Sequence, residues 1–180
     1  AASLWPDNIS IQAEGGIVID ADTGTVLFGK NIHTAYYPAS ITKILTALIV
    51  IERCSLDEMV TFSHNAVYNV EEDSKSAGLD EGDVLTVRDC LYALMLASAN
   101  ESANALACHV SGSREAFAQL MNEKAQSLGC TGSHFNNPSG LNDENHYTTA
   151  HDMALIASAA IQNTEFLTIN GTRSYQLAPT

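Results

Sequence analysis

A serine and a lysine lie three positions apart in the segment Pro38-Ala39-Ser40-Ile41-Thr42-Lys43. Pro38 suits the first turn of a helix, and the apolar residues 44–51 that follow contain neither glycine nor proline. We therefore expect a helix to begin close to Ser40. One helical turn would place Ser40 and Lys43 on the same face, where a neutral amine can take the proton of the hydroxyl. The pattern is typical of an activated serine nucleophile, although this spacing alone also arises readily by chance.

A second group of polar side chains, Ser98-Ala99-Asn100, separates two apolar helical stretches. Such residues are common where one helix ends and another begins, so capping alone would explain them. Combined with Ser40 and Lys43, however, they supply a second hydroxyl and an amide to a nucleophile and a base. We therefore take Ser40, Lys43, Ser98 and Asn100 together as the candidate site, with Ser40 as the nucleophile and Lys43 as its base.

The other residue types that bind metals or move protons form no recognisable site in the sequence. The histidines include no H-E-x-x-H pattern, and surface or capping roles are favoured over metal binding even for the neighbouring pair His146 and His151. The acidic segments 71–73 and 80–81 lack the ligand spacing of a calcium loop, so we expect a solvated face there. No metal and no cofactor are expected.

The cysteines, Cys54, Cys90, Cys108 and Cys130, are widely separated. None belongs to a C-x-x-C pair, so a zinc knot is not favoured. Three disulfide connectivities are possible in an oxidising compartment, and the sequence leaves the pairing open. Cys90 and Cys108 lie in apolar helical runs, where we expect them to be small buried hydrophobic residues.

Composition and charge limit the classes of partner. The 180 residues can form one well-buried core, and their 46% hydrophobic and 16% charged content is typical of a globular protein. The 21 acidic and 8 basic residues give a net charge of −13, which argues against binding nucleic acid or anionic membrane. No apolar stretch approaches the roughly 20 residues that a membrane span needs.

Hydrophobic periodicity predicts a strand hairpin, a long helix and then a mainly helical region. Strands are expected at 16–20 and 25–30, around an Asp-Thr-Gly turn, and a second ribbon at 59–62 and 84–87. Further helices are expected at about 86–97, at 103–108, from the Ser113 cap to Gly129, and at 152–161 behind a Thr149 cap. Because two strands cannot form a stable sheet alone, more strands are expected beyond residue 180.

The order of short motifs resembles that of the serine D-alanyl-D-alanine carboxypeptidases, which are low-molecular-weight penicillin-binding proteins of peptidase family S11. The resemblance covers nearly the whole chain after about residue 14. It is carried by Gly24-Thr25-Val26-Leu27, Pro38-Ala39-Ser40-Ile41-Thr42-Lys43, Gly82-Asp83, Leu85-Thr86-Val87, Ser98-Ala99-Asn100-Glu101-Ser102-Ala103, Met121-Asn122, Leu128-Gly129, Asn137-Pro138-Ser139-Gly140-Leu141 and Thr148-Thr149-Ala150-His151-Asp152. It implies an α/β (α+β) fold of the β-lactamase/transpeptidase type, as one domain over residues 1–180 that is incomplete at its C-terminus.

The resemblance also implies an activity, which is removal of the terminal D-Ala from peptidoglycan stem peptides through an acyl-enzyme on Ser40. β-Lactams, as mimics of that terminus, would acylate the same serine. Lys43 would be the base, Ser98 would pass the proton to the leaving amine, and Asn100 would hold Lys43 or the substrate amide. The implied location is the cell envelope, after removal of a signal peptide, with membrane contact only through a segment not present here. The implied roles are in cell-wall biogenesis and cell shape.

One departure from the family pattern concerns its third motif, Lys-Thr-Gly on a sheet strand. No lysine follows Lys124, which implies that this chain is the N-terminal part of a longer protein and is impaired by itself. Two alternatives stay open. A serine β-lactamase would commonly carry a glutamate after the second motif, and residues 136–141 contain none. A non-catalytic β-lactam sensor would be acylated without releasing D-Ala.

Overall fold

The computed structural model describes residues 9–68, 70 and 74–180. Within these residues, the fold consists of α-helices and two separate two-stranded antiparallel sheets. The elements in chain order are β1 (Gly16–Ile19), β2 (Val26–Lys30), a 3-10 helix (Ala39–Ile41), α1 (Thr42–Arg53), β3 (Met59–Thr61), α2 (His64–Tyr68), β4 (Val84–Thr86), α3 (Val87–Leu96), α4 (Asn100–Ser111), α5 (Arg114–Ser127), α6 (Ala150–Ile161) and α7 (Thr164–Asn170). The predicted solvated segment 71–73 lies outside the described residues.

Both predicted strand pairs are confirmed. β1 and β2 pair with Gly16 opposite Lys30, and β3 and β4 pair with Val60 opposite Leu85. The turn between β1 and β2 is closed by the Asp20 carboxylate, which accepts hydrogen bonds from the backbone N–H and the hydroxyl of Thr23, both at 2.8 Å. β1 then packs against α6, so this hairpin covers one flank of the helical region.

Helix α1 is the centre of the structure and carries the predicted nucleophile segment at its N-terminal end. It contacts α3, α4, α5, α6 and α7. The apolar run that predicted the helix is buried on almost every side, from Leu45 to Val50. A helix enclosed in this way is held by packing rather than by its own propensity. Its first turn is therefore a rigid platform for reactive side chains.

The remaining helices agree with the sequence pattern in their existence and differ in their ends. The caps predicted at Ser113 and Thr149 are confirmed, because their hydroxyls accept from the N–H groups of Ala116 and Asp152. α4 begins at Asn100, three residues before the predicted start. The short helices α2 and α7 were not predicted, since five and seven residues are too few to show a helical period.

The cysteines are free thiols. Cys90 is fully buried, as expected, whereas Cys108 is only half-buried, so the prediction for Cys108 is wrong. Cys108 lies in the last turns of α4, where the helix reaches the surface.

Among the described residues, no helix combines the length and the apolar character that crossing a membrane would require.

Candidate active site

Ser40 and Lys43 lie within hydrogen-bonding distance at the start of the central helix. Ser40 belongs to the 3-10 helix and is exposed, while Lys43 is in the first turn of α1 and only 3% exposed. The Lys43 Nζ atom donates to Ser40 Oγ at 3.3 Å. An accessible hydroxyl therefore faces a buried amine, which is the arrangement that a serine nucleophile and its base require.

The buried position of Lys43 changes its protonation. Its Nζ atom donates a second hydrogen bond, at 2.6 Å, to the backbone carbonyl of Ser139. Burial lowers the pKa of Lys43 to about 8, against a smaller opposing effect of the negative charge on Glu101. A lysine in bulk water would be almost entirely charged at neutral pH. In the folded chain, about one tenth of the Lys43 amine is neutral at pH 7.

Ser98 approaches the same hydroxyl from the connection between α3 and α4. Its Oγ atom donates to Ser40 Oγ at 3.1 Å. The Ser98 backbone has a φ of +57°, and Ala39, immediately before the nucleophile, has a φ of +50°. Left-handed conformations of residues other than glycine cost free energy and persist only where the surrounding structure imposes them. Strained backbone thus flanks Ser40 on both sides of the cleft.

Asn100 and Glu101 form the first turn of α4, next to this cleft. Asn100 is 9% exposed, and its backbone N–H donates to the carbonyl of Lys75 at 2.9 Å.

Glu101, which the sequence pattern did not single out, is 2% exposed. Its Oε1 atom accepts hydrogen bonds from Ser76 Oγ at 2.8 Å and from the Ala77 N–H at 2.7 Å. The segment after residue 74 is therefore anchored to α4, beside the site.

The loop 136–141 forms the wall behind Lys43. Asn137 Oδ1 accepts from the N–H groups of Gly140 and Leu141 at 2.8 and 2.9 Å, which fixes the turn. Gly140 has a φ of +89°, and a Cβ atom there would overlap the Ala39 carbonyl oxygen. Only glycine allows the loop to approach the nucleophile segment this closely. The turn in this way presents the Ser139 carbonyl to Lys43.

A buried histidine joins the same loop to α1. His146 is 1% exposed; its Nε2 lies 2.8 Å from Thr42 Oγ1, and its Nδ1 accepts from the Asn136 N–H at 2.9 Å. Burial lowers the pKa of His146 to about 4, so the ring is neutral at pH 7. Because Nδ1 is an acceptor, the proton of the neutral ring lies on Nε2 and is donated to Thr42. The prediction of a surface or capping role is therefore wrong for His146.

A second hydrogen bond ties α1 to the loop one turn further along. Thr46 Oγ1 donates to the Pro138 carbonyl at 2.7 Å. Thr42, Lys43 and Thr46 consequently all bind the segment that contains Ser139, directly or through His146. These contacts join residues more than ninety positions apart, and no local pattern in the sequence signals them.

This geometry agrees with a match to a protein family. The family model of the peptidase S11 D-alanyl-D-alanine carboxypeptidases matches residues 3–179. The chain belongs to this family.

Relatives within the S11 carboxypeptidase family are similar over most of the chain. The D-alanyl-D-alanine carboxypeptidase DacF of Bacillus subtilis is 36% identical over 89% of this chain and 42% of its own length. The D-alanyl-D-alanine carboxypeptidase DacB2 of Mycobacterium tuberculosis is 36% identical over 87% of this chain and 53% of its own. The chain thus spans about half the length of these curated relatives.

Solved structures of carboxypeptidases and penicillin-binding proteins share the fold. Penicillin-binding protein 6B from Escherichia coli superposes with a TM-score of 0.89 at 29% identity, over 97% of this chain and 58% of that one. The D-alanyl-D-alanine carboxypeptidase DacD from Francisella tularensis superposes with a TM-score of 0.85 at 34% identity, over 92% and 41% of the two chains. The expected fold class is confirmed.

The S11 carboxypeptidase fold brings three of the four predicted site residues into direct contact. Ser40, Lys43 and Ser98 form a continuous chain of hydrogen bonds around the Ser40 hydroxyl. Asn100 lies two residues from Ser98 at the start of α4.

Proposed function

We propose that Ser40 is the nucleophile of a serine D-Ala-D-Ala carboxypeptidase that removes the terminal D-Ala of peptidoglycan stem peptides. The observation that supports this most strongly is the position of Ser40 Oγ, 3.3 Å from a buried lysine amine and 3.1 Å from a second hydroxyl. Membership of the S11 family supports the substrate class. β-Lactams, which resemble the D-Ala-D-Ala terminus, acylate the same hydroxyl in this proposal.

In the acylation step, Ser40 Oγ attacks the carbonyl carbon of the penultimate D-Ala while its proton passes to neutral Lys43. The Ser40 backbone N–H, at the start of the helix, donates to the developing oxyanion. When the peptide C–N bond breaks, Ser98 relays a proton from Lys43 to the nitrogen of the departing D-Ala. Water then hydrolyses the Ser40 ester, and Asn100 holds the substrate amide throughout.

Burial provides most of the bias toward neutral Lys43. The change from 10.5 to about 8 corresponds to roughly 3 kcal/mol against the ammonium form. The positive end of a helix contributes about 0.3–1 kcal/mol, and about 2 in partly buried geometries. The dipole alone is therefore too small, and withdrawal of the amine from water accounts for the larger part.

A serine β-lactamase is less well supported by the loop behind the lysine. Residues 136–141 contain no glutamate to activate a deacylating water, and the group that faces Lys43 from this loop is the Ser139 carbonyl.

The S11 pattern also assigns one oxyanion donor to a Lys-Thr-Gly strand, and no lysine follows Lys124 here. We propose that this chain by itself turns over about 10²- to 10³-fold more slowly than the complete enzyme, as loss of one such donor predicts.

The substrate places the proposed site of action outside the cytoplasm, in the cell envelope, where cross-linked peptidoglycan is accessible. A secreted protein with a role in cell-wall biogenesis and cell shape follows from this substrate. We propose no nucleic-acid partner, because the acidic chain carries no basic tract.

The test is release of D-Ala from diacetyl-Lys-D-Ala-D-Ala by the complete protein. The wild type should release one D-Ala per substrate, and Ser40→Ala should release none. Ser127→Ala is the matched control, since Ser127 is an exposed serine that caps the end of α5 through the Lys124 carbonyl. Release by Ser40→Ala at the wild-type rate would refute the proposal, and acylation by penicillin without any D-Ala release would favour a sensor.

A further inference from the structure

Three side chains of types that can ligate a metal meet at the end of α1 opposite the Ser40 site. Cys54 follows the last residue of α1, Glu58 precedes β3, and His109 lies in the last turn of α4. One sulfur, one carboxylate oxygen and one ring nitrogen from these residues all lie within 4.8 Å of one another. The His109 Nε2 and Glu58 Oε2 atoms are 2.9 Å apart.

We propose that Cys54, Glu58 and His109 bind a zinc ion, with water as the fourth ligand. Zinc takes tetrahedral sulfur, nitrogen and oxygen ligands, with a Zn–S distance of about 2.3 Å and a Zn–N distance of about 2.0 Å. A tetrahedron of that size separates the sulfur and nitrogen by about 3.6 Å. Donor atoms no more than 4.8 Å apart need rotamer adjustments of about 1 Å to reach it.

The backbones of the ligands are fixed while their side chains keep access to solvent. The Cys54 N–H donates to the Val50 carbonyl at 2.9 Å, and the Glu58 carbonyl accepts from the Val87 N–H at 2.8 Å. The side chains of His109 and Glu58 are 25% and 45% exposed, so an ion and its water can enter. Glu58 Oε1 accepts from the Ser55 N–H at 2.6 Å, which leaves Oε2 as the atom directed at His109.

The charges of the proposed ligands can balance that of a divalent cation. Binding displaces the Cys54 thiol proton to solvent, so that the resulting thiolate and the Glu58 carboxylate together balance the two positive charges of zinc. His109 binds as the neutral ring through Nε2. Without metal, the same atoms form only a histidine–carboxylate hydrogen bond beside a thiol, and the experiment must separate these two states.

The position of the cluster indicates a structural role. The twelve residues of α1 span about 18 Å, which separates the zinc ligands from the nucleophile at its other end. A bound ion would join the end of α1 to the segment before β3 and to the end of α4. Zinc binding should therefore raise the melting temperature of the chain, and it should do so whether or not Ser40 is a nucleophile.

Equilibrium dialysis of the chelator-treated, thiol-reduced chain against ZnCl2 tests the site, with Co²⁺ as a spectroscopic probe. The wild type should bind one zinc, and its Co²⁺ form should show a thiolate-to-metal charge-transfer band. Cys54→Ser should lose this band and bind zinc at least about tenfold more weakly. Cys108→Ser is the matched control, because Cys108 is the neighbour of His109 in sequence but not a member of the cluster.

Two further variants keep the test decisive if Cys54→Ser folds poorly. Glu58→Gln and His109→Gln change partly exposed side chains and should each weaken zinc binding about tenfold or more while retaining the wild-type circular dichroism. Absence of stoichiometric zinc binding by the wild type would overturn the proposal. Binding that persists at wild-type strength in these variants, or a charge-transfer band that depends on Cys108, would do the same.

Discussion

The protonation of Lys43 should determine how the reactivity of Ser40 depends on pH. Only the neutral amine can take the serine proton, and burial lowers the pKa of Lys43 to about 8. About 1% of the amine is then neutral at pH 6, and about half at pH 8. We expect the rate of Ser40 acylation to rise about tenfold per pH unit between pH 6 and 7 and to level off above about pH 8.

The same shift has a consequence for stability, with a sign fixed by proton linkage. Lys43 has a lower pKa in the folded chain than in the unfolded chain, so the unfolded state binds more protons between about pH 8 and 10.5. The contribution of Lys43 to the free energy of unfolding should therefore increase by about 3 kcal/mol across this range as pH rises. Below about pH 8 both states are protonated, and the full cost of the buried ammonium persists.

The assay is the rate of penicillin adduct formation on the complete protein, followed by intact-mass measurement at several pH values. Lys43→Arg carries a side chain that stays charged, so this variant should react at least about 10²-fold more slowly and without the pH dependence. Lys124→Arg is the matched control, because Lys124 forms an ion pair with Glu52 far from Ser40 in sequence. A flat profile between pH 6 and 8 in the wild type, or wild-type behaviour of Lys43→Arg, would refute the reasoning.

Three further substitutions probe the groups that hold the site. Gly140→Ala places an alanine in a left-handed conformation with its Cβ atom against the Ala39 carbonyl oxygen. The free energy of unfolding in urea should therefore fall by about 2–5 kcal/mol, and penicillin acylation should slow. Unchanged values would contradict this close packing. Ser98→Gly relieves the strain of a φ of +57°, so the free energy of unfolding should rise by about 1 kcal/mol while D-Ala release falls. A lower free energy of unfolding would contradict the strain. Burial lowers the pKa of His146 to about 4 in the folded chain, so its contribution to the free energy of unfolding should fall by about 3 kcal/mol between pH 7 and pH 4. In urea unfolding at several pH values, His146→Leu should lose about this much of the pH dependence, and an unchanged dependence would contradict the assignment.

Local sequence features predict hydrogen bonds correctly where the contact follows from helix geometry. Ser40 and Lys43 meet because they are one turn apart, and the Thr149 cap follows from the preference of threonine for that position. The start of the helix was less accurate, because Ala39–Ile41 forms a 3-10 turn and α1 begins only at Thr42. The motif resemblance supplied what periodicity could not, which was the pairing of Ser98 with Ser40.

The contacts that were not predicted are those made between distant parts of the chain. The composition of the loop 136–141 predicts turns and the loop matches a family motif, but its sequence does not indicate that the Ser139 carbonyl accepts from Lys43. His146 gave no signal either, since a single histidine in a polar segment has the same pattern whether it is exposed or buried against Thr42. Such partners are selected by the packing of the whole chain.

The identity of the nucleophile is tested most directly by locating the penicillin adduct. After treatment of the complete protein with benzylpenicillin, intact-mass analysis should show one penicilloyl group, and peptide mapping should place it on Ser40. Ser40→Ala should show none, while Ser127→Ala should be labelled like the wild type. Absence of an adduct on the complete protein, or an adduct that survives Ser40→Ala, would contradict the central claim.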